Sequence, residues 1–178
     1  MSANLKKKSM QFQKYKVIGI GMPKTGTTSL ANYLRKQGYK CVHNKPKVER
    51  IIKKHNPEKI FNKIKCDAIL DYPINLYYKQ IEQDYPNAKF IYTTRKRSSW
   101  LKSWKEHDKR IKPNIDRTEK FLNLYDKQSN EIPEYFKDKQ EKILILDLSD
   151  PKKDEKLAEF LGVEPLGYYP HKNKGNYK

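Results

Sequence analysis

The chain has 178 residues, enough for one domain with a real core. Its 39 Lys and Arg against 21 Asp and Glu leave a formal charge of +18, which favours anionic partners and says little about fold. No apolar run reaches the roughly 18 residues of a membrane span, no apolar stretch follows the basic N-terminus as in a signal peptide, and Cys41 and Cys66 stand too far apart for a disulfide framework. A reduced, cytoplasmic protein is the expectation.

Residues 1–15 include Lys6, Lys7, Lys8 and Lys14 with no acid and read as a basic flexible arm, leaving 16–178 as one α/β domain. The apolar run Val17-Ile18-Gly19-Ile20 predicts a strand near 16–21. Directly after it comes Gly21-Met22-Pro23-Lys24-Thr25-Gly26-Thr27-Thr28-Ser29-Leu30, a tight turn that opens a helix near 27–37. Glycines let such a turn approach a ligand closely, and a helix N-terminus with hydroxyls favours an anion. The spacing nearly matches G-x-x-x-x-G-K-[ST]: Gly21, Gly26 and Thr28 fit. Thr27 stands where the usual lysine would, and the lysine comes earlier, at Lys24. That displacement argues against an ordinary ATP or GTP hydrolase.

Gly38 reads as the stop of this helix, and a short strand near 39–43 ends at His43. Residues 44–66, lysine-rich with Pro46 and Pro57, read as short helices or a cover over the site. A strand near 68–71 ends at Asp71, in Ala68-Ile69-Leu70-Asp71-Tyr72-Pro73, and a helix is expected near 74–84. Asp71 is either a base facing the crevice or the N-cap of that helix. The strand near 88–94 ends at Arg95, followed by a helix near 97–110 carrying Trp100, Ser103 and Trp104. The two tryptophans, at i and i+4, suit core packing, with adenine stacking as the alternative. A helix near 115–128, a strand near 142–147 ending at Asp147, and a helix near 152–161 follow, the last with Asp150-Pro151 as N-cap and first-turn proline. Strands alternating with helices imply a doubly wound α/β fold, a parallel sheet flanked by helices. His55, His107 and His171 lack metal-ligand spacing, so no metal is expected.

Pro23-Lys24-Thr25-Gly26-Thr27-Thr28 resembles the 5′-phosphosulfate-binding loop of the sulfotransferase family. Tyr85-Pro86-Asn87-Ala88-Lys89-Phe90-Ile91-Tyr92-Thr93-Thr94-Arg95, with Ser103 eight positions on, is similar to that family's 3′-phosphate-binding segment. The resemblance implies a P-loop-like sulfotransferase fold and 3′-phosphoadenosine 5′-phosphosulfate as nucleotide donor, with adenosine 3′,5′-bisphosphate as product. It implies Lys24 at the leaving oxygen, and Pro23, Thr25, Gly26, Thr27, Thr28 and Ser29 around the 5′ end. Arg95 and Ser103 would meet the 3′-phosphate. It also implies that Lys172, Asn173, Lys174 and Gly175 fold over that phosphate; read without it, they are a loose basic terminus.

A hydroxyl or amine acceptor would give up its proton to Asp71 or, in second place, His43. The acceptor's identity is not legible, and an anionic one is among the candidates. Two other readings stay open: a P-loop small-molecule kinase, with Asp71 or Asp147 on magnesium, and a non-catalytic binder of nucleic acid or another polyanion. No RNP motif, zinc finger or basic zipper supports nucleic acid as the partner.

Overall fold

A computed structural model describes residues 15–43, 49, 52 and 60–171. The arm at 1–14 and the tail residues Lys172, Asn173, Lys174 and Gly175 lie outside the described residues.

Five short strands form one parallel sheet: β1 (Val17–Gly19), β2 (Cys41–His43), β3 (Ala68–Leu70), β4 (Lys89–Thr94) and β5 (Ile143–Asp147). Their spatial order is β2-β3-β1-β4-β5. Every neighbouring pair is parallel, with Ile18 level with Ile69 on one side and with Phe90 on the other. Among the described residues the sheet is connected and covered by helices α1 (Thr27–Lys36), α2 (Ile60–Ile64), α3 (Tyr78–Asp84), α4 (Arg97–Ile111), α5 (Thr118–Tyr135) and α6 (Lys153–Leu161).

The inner strands β1, β3 and β4 are apolar over most of their length because both their faces are covered. Side chains alternate between the faces. Ile18, Ile69, Phe90 and Tyr92 point to a core shared with α2, α3 and the end of α5. Val17, Ala68, Leu70 and Ile91 point to a second core shared with α1 and α6. A third cluster sits at the carboxyl end of the sheet, where Met22 meets Trp100, Trp104, Phe121 and Tyr125.

Several boundaries differ from the sequence reading. The helix expected near 115–128 runs from Thr118 to Tyr135, through Pro133. Ile132 and Phe136, both fully buried, explain this. A helix-interior proline costs about 3 kcal/mol, and burying two such side chains contributes roughly 1.5–3 kcal/mol each. The helix expected near 74–84 is a 3-10 turn at Ile74–Leu76 followed by α3. Asp150 does not cap α6: Lys152 holds the N-cap position, and Asp150 accepts the Lys152 amide at 2.8 Å in the turn before it. Gly38 does end α1, at φ +80, with the Tyr39 amide bonded back to Leu34 at 2.9 Å.

Candidate functional site

The sheet order fixes where a ligand sits. From β1 the chain fills one side of the sheet with β2 and β3, then crosses to fill the other with β4 and β5. Open α/β sheets bind ligands beyond the carboxyl ends of their strands at such a reversal. The loop 21–26, between β1 and α1, lies at that point.

This loop is held from three directions. Thr25, almost fully buried, donates its hydroxyl to the Met22 carbonyl at 2.6 Å and shares a 2.7 Å bond with the Thr93 hydroxyl of β4. The Trp100 indole N–H of α4 donates to the Pro23 carbonyl at 2.8 Å. Arg95 Nη1 donates to the Lys24 carbonyl at 3.2 Å. Lys24 itself takes φ +73, an uncommon left-handed conformation for a side-chain-bearing residue. Gly21 has no alternative: a Cβ there would lie 1.8 Å from Thr93 Oγ1. Gly26, at φ +98, occupies the N-cap of α1. The first turn of α1 therefore opens toward the crevice, where backbone amides and the helix dipole favour an anion.

On the β4 flank, Arg95 follows the strand end, and the Tyr125 hydroxyl donates to its carbonyl. Ser103 lies on the buried side of α4 together with Trp100 and Trp104. Both tryptophans are core residues. Trp100 stacks on Tyr125 at 4.3 Å between centroids, and Trp104 on Phe121 at 4.1 Å. Of the two roles open to them, packing is the one the structure uses.

On the β3 flank the two rival bases meet. His43 ends β2 and Asp71 follows β3, its parallel neighbour. His43 Nε2 lies 3.3 Å from Asp71 Oδ2 and 3.1 Å from Thr27 Oγ1. The other carboxylate oxygen of Asp71 accepts the Tyr72 amide at 2.8 Å. Asp71 sits at φ +80, and its side chain is 8% exposed beside a His43 side chain at 16%. It does not cap the following turn, which has no side-chain cap. Its carbonyl, rather than its side chain, accepts the Ile74 amide at 2.9 Å.

In the sequence His107 stood out only as a histidine without metal-ligand spacing. It lies on α4 at a centroid distance of 6.0 Å from Trp104. Burial depresses its pKa first; the charges of Lys24 and Arg110 depress it further, while Asp108 and Asp71 oppose them. His107 therefore belongs electrostatically to the loop and to the β3 flank. The only sequence signal for it is its place one turn after Trp104. Asp147, read as a strand-end residue, accepts bonds from Ser149 and from Thr94 at 3.4 Å. Among the described residues no group of His, Cys, Asp and Glu is placed to hold a metal ion, and no helix is long and apolar enough to cross a membrane.

The family model described as "Sulfotransferase domain" matches residues 16–118. Mouse sulfotransferase SULT7A1 complexed with PAP is similar in structure at TM-score 0.51 and 20% identity, over 85% of this chain and 59% of the mouse chain. A sulfotransferase from Alicyclobacillus acidocaldarius is similar at TM-score 0.57 and 15% identity, over 92% of this chain and 86% of that one. The chain thus spans about three-fifths of the length of the mouse protein. No curated protein matches it in sequence. At these identities the structural likeness speaks to the fold, a parallel sheet flanked by helices with a P-loop-like turn.

Proposed function

The chain belongs to the sulfotransferase family, and on that premise we propose that it moves a sulfuryl group from 3′-phosphoadenosine 5′-phosphosulfate to a hydroxyl or amine acceptor. The observation that carries the reading is the bond from Arg95 to the Lys24 carbonyl. It ties the loop, suited to the 5′ end of the donor, to the arginine suited to its 3′-phosphate. The mouse relative is a complex with PAP, the product this donor would leave.

The donor binds by backbone and cation. First-turn amides of α1 meet the 5′ end, and the Arg95 guanidinium offers a planar fork to the 3′-phosphate. Ser103 lies on α4, the helix that begins two residues after Arg95. The acceptor oxygen or nitrogen attacks sulfur, the bond from sulfur to the 5′-phosphate oxygen breaks, and the electron pair leaves with the bisphosphate. Lys24, a mobile point charge beside the loop, stabilises the negative charge that develops there. The acceptor's proton goes to the His43–Asp71 pair. With the His43 proton on Nε2, bonded to Thr27 Oγ1 and facing Asp71, Nδ1 is unprotonated and able to take the acceptor's proton, and the carboxylate 3.3 Å away stabilises the imidazolium that results. Donor and acceptor chemistry thus lie on opposite flanks of the loop, Arg95 beyond β4 and the pair beyond β2 and β3.

Adenosine 3′,5′-bisphosphate without magnesium is expected to raise the melting temperature. At a hundredfold excess over Kd the gain corresponds to about 2.7 kcal/mol. Differential scanning fluorimetry against ATP, with and without magnesium, checks it. Stabilisation by magnesium-ATP alone would replace this reading with that of a kinase.

A further inference from the structure

One side of α4, over the acceptor flank, is unused by the transfer chemistry. Trp104, His107 and Arg110 follow one another there at three-residue steps, on adjoining turns. Trp104 is 2% exposed, yet its indole N–H has no acceptor among the described residues. A buried donor left unsatisfied requires an explanation. One turn on, Arg110 Nη2 donates toward His107 Nδ1 over 3.5 Å, which leaves the proton of the neutral ring on Nε2. Arg110 is exposed and meets His107, not a carboxylate, among the described residues. The nearby acids are engaged elsewhere: Asp108 is held by Arg117 at 2.8 Å, and Asp71 faces His43. Glu106 is the one exposed acid of α4, among exposed Lys105, Lys109 and Arg110.

This side of the helix lies on the acceptor flank. Trp104 shares a cluster with Met22 of the loop and with Tyr72, the residue after Asp71. Phe121 bridges them, stacked on Trp104 and 5.4 Å from the Tyr72 ring. We propose that Trp104, His107 and Arg110 form a subsite for an oxyanion carried by the acceptor, so that the molecule sulfated is an alcohol or amine that also bears a phosphate, sulfate or carboxylate group. The inference rests on the donor reading above, which assigns the donor's own phosphates to the loop and Arg95. A guanidinium and two ring N–H groups are the donors such a group needs. Charge-assisted bonds to it are strong where one donor is already desolvated.

The test uses the full chain labelled at the histidine ring carbons and saturated with adenosine 3′,5′-bisphosphate, with His107 assigned through His107→Gln. Phenyl phosphate is expected to shift the His107 resonance saturably, and benzyl alcohol to leave it unmoved. Arg110→Gln should weaken phenyl phosphate binding by about tenfold to a hundredfold, as loss of a hydrogen bond between charged groups implies. The bisphosphate-induced gain in melting temperature should stay unchanged in that variant. Trp104→Phe, which keeps a ring and removes the N–H, should weaken the probe by a smaller factor. An unresponsive His107, or equal affinity in Arg110→Gln, overturns the subsite. The titration repeated without bisphosphate separates the two claims. Failure to bind bisphosphate with an Arg110-dependent shift intact overturns the donor reading, and the converse overturns the subsite alone.

Discussion

His43 and Asp71 were legible one at a time as candidates for the base, but not as a pair. Each stands at the end of a short strand, and each has a structural alternative in the sequence. What joins them is the adjacency of β2 and β3, with His43 level with Leu70. Strand order in a parallel sheet is set by packing across the whole domain and leaves no local trace. The same holds for His107, on which the charges of Lys24 and Asp71 act from two other elements. The turn that carries Lys24 and the strand end before Arg95, by contrast, were legible as structure because both are local patterns. The pairing makes a prediction. Asp71→Asn and His43→Gln should each slow turnover by about a hundredfold or more, the range of lost general-base catalysis. The double variant should be no slower than the worse single one, because residues acting as a unit are not additive. Asn tolerates the left-handed backbone at φ +80, so the fold is spared. Bisphosphate affinity should stay near the parent value in all three. Losses that multiply in the double variant, or a silent His43→Gln, would break the pair apart.

Between elements the fold was legible where a pattern is strictly local. Four of the strands appeared as apolar runs, the fifth, near 39–43, only as a short candidate strand, and Gly38 marked the end of α1. The misreadings fall where tertiary contacts override the local signal. Pro133 lies inside a helix because the residues around it are core, and Asp150 serves a turn instead of a cap. Glu82 on α3 was invisible for the same reason. It is a carboxylate with a 7% exposed side chain that joins three elements. It accepts from Lys139 at 2.9 Å, from the Tyr135 hydroxyl at 3.0 Å, and from Lys142, the residue just before β5. Burial alone would raise its pKa; the bonds from Lys142, Lys139 and Tyr135 outweigh burial and hold it down at about 2. A carboxylate whose pKa is lower folded than unfolded stabilises the fold above its unfolded value. Glu82 therefore contributes fully above about pH 4.5, and the contribution is lost as the pH falls toward 2. Melting temperature measured from pH 7 to pH 3 should decline more steeply in the parent than in Glu82→Gln. The variant should also be less stable at pH 7, since two lysines lose their carboxylate. Parallel curves for the two proteins would remove Glu82 as the anchor of α3 to α5 and β5.

At the scale of the whole molecule the dominant quantity is the charge of +18, and it acts on folding and on binding in opposite directions. Uncompensated charge repels itself in the compact state. Several described ion pairs are exposed on both sides, such as Lys127–Glu131 at 3.7 Å and Arg97–Asp126 at 2.7 Å. Exposed pairs of this kind are worth about 0–1 kcal/mol each, too little to offset the repulsion of so large an excess. Potassium chloride screens both, with a Debye length near 10 Å at 0.1 M and about 3 Å at 1 M. The ligand-free protein should therefore melt at a higher temperature as chloride is raised. On the proposed reading, bisphosphate is drawn to the loop and Arg95 by the same positive field and should add less to the melting temperature at each step. The two slopes, read in one series of melts with and without bisphosphate, have opposite signs only if the excess charge is spread over the surface while the ligand meets a concentrated part of it. A ligand-free melting temperature that falls with chloride would mean that local pairs such as Glu82 with Lys139 and Lys142 govern stability instead. A bisphosphate increment indifferent to chloride would mean that the nucleotide is held by packing and neutral hydrogen bonds rather than by Lys24 and Arg95.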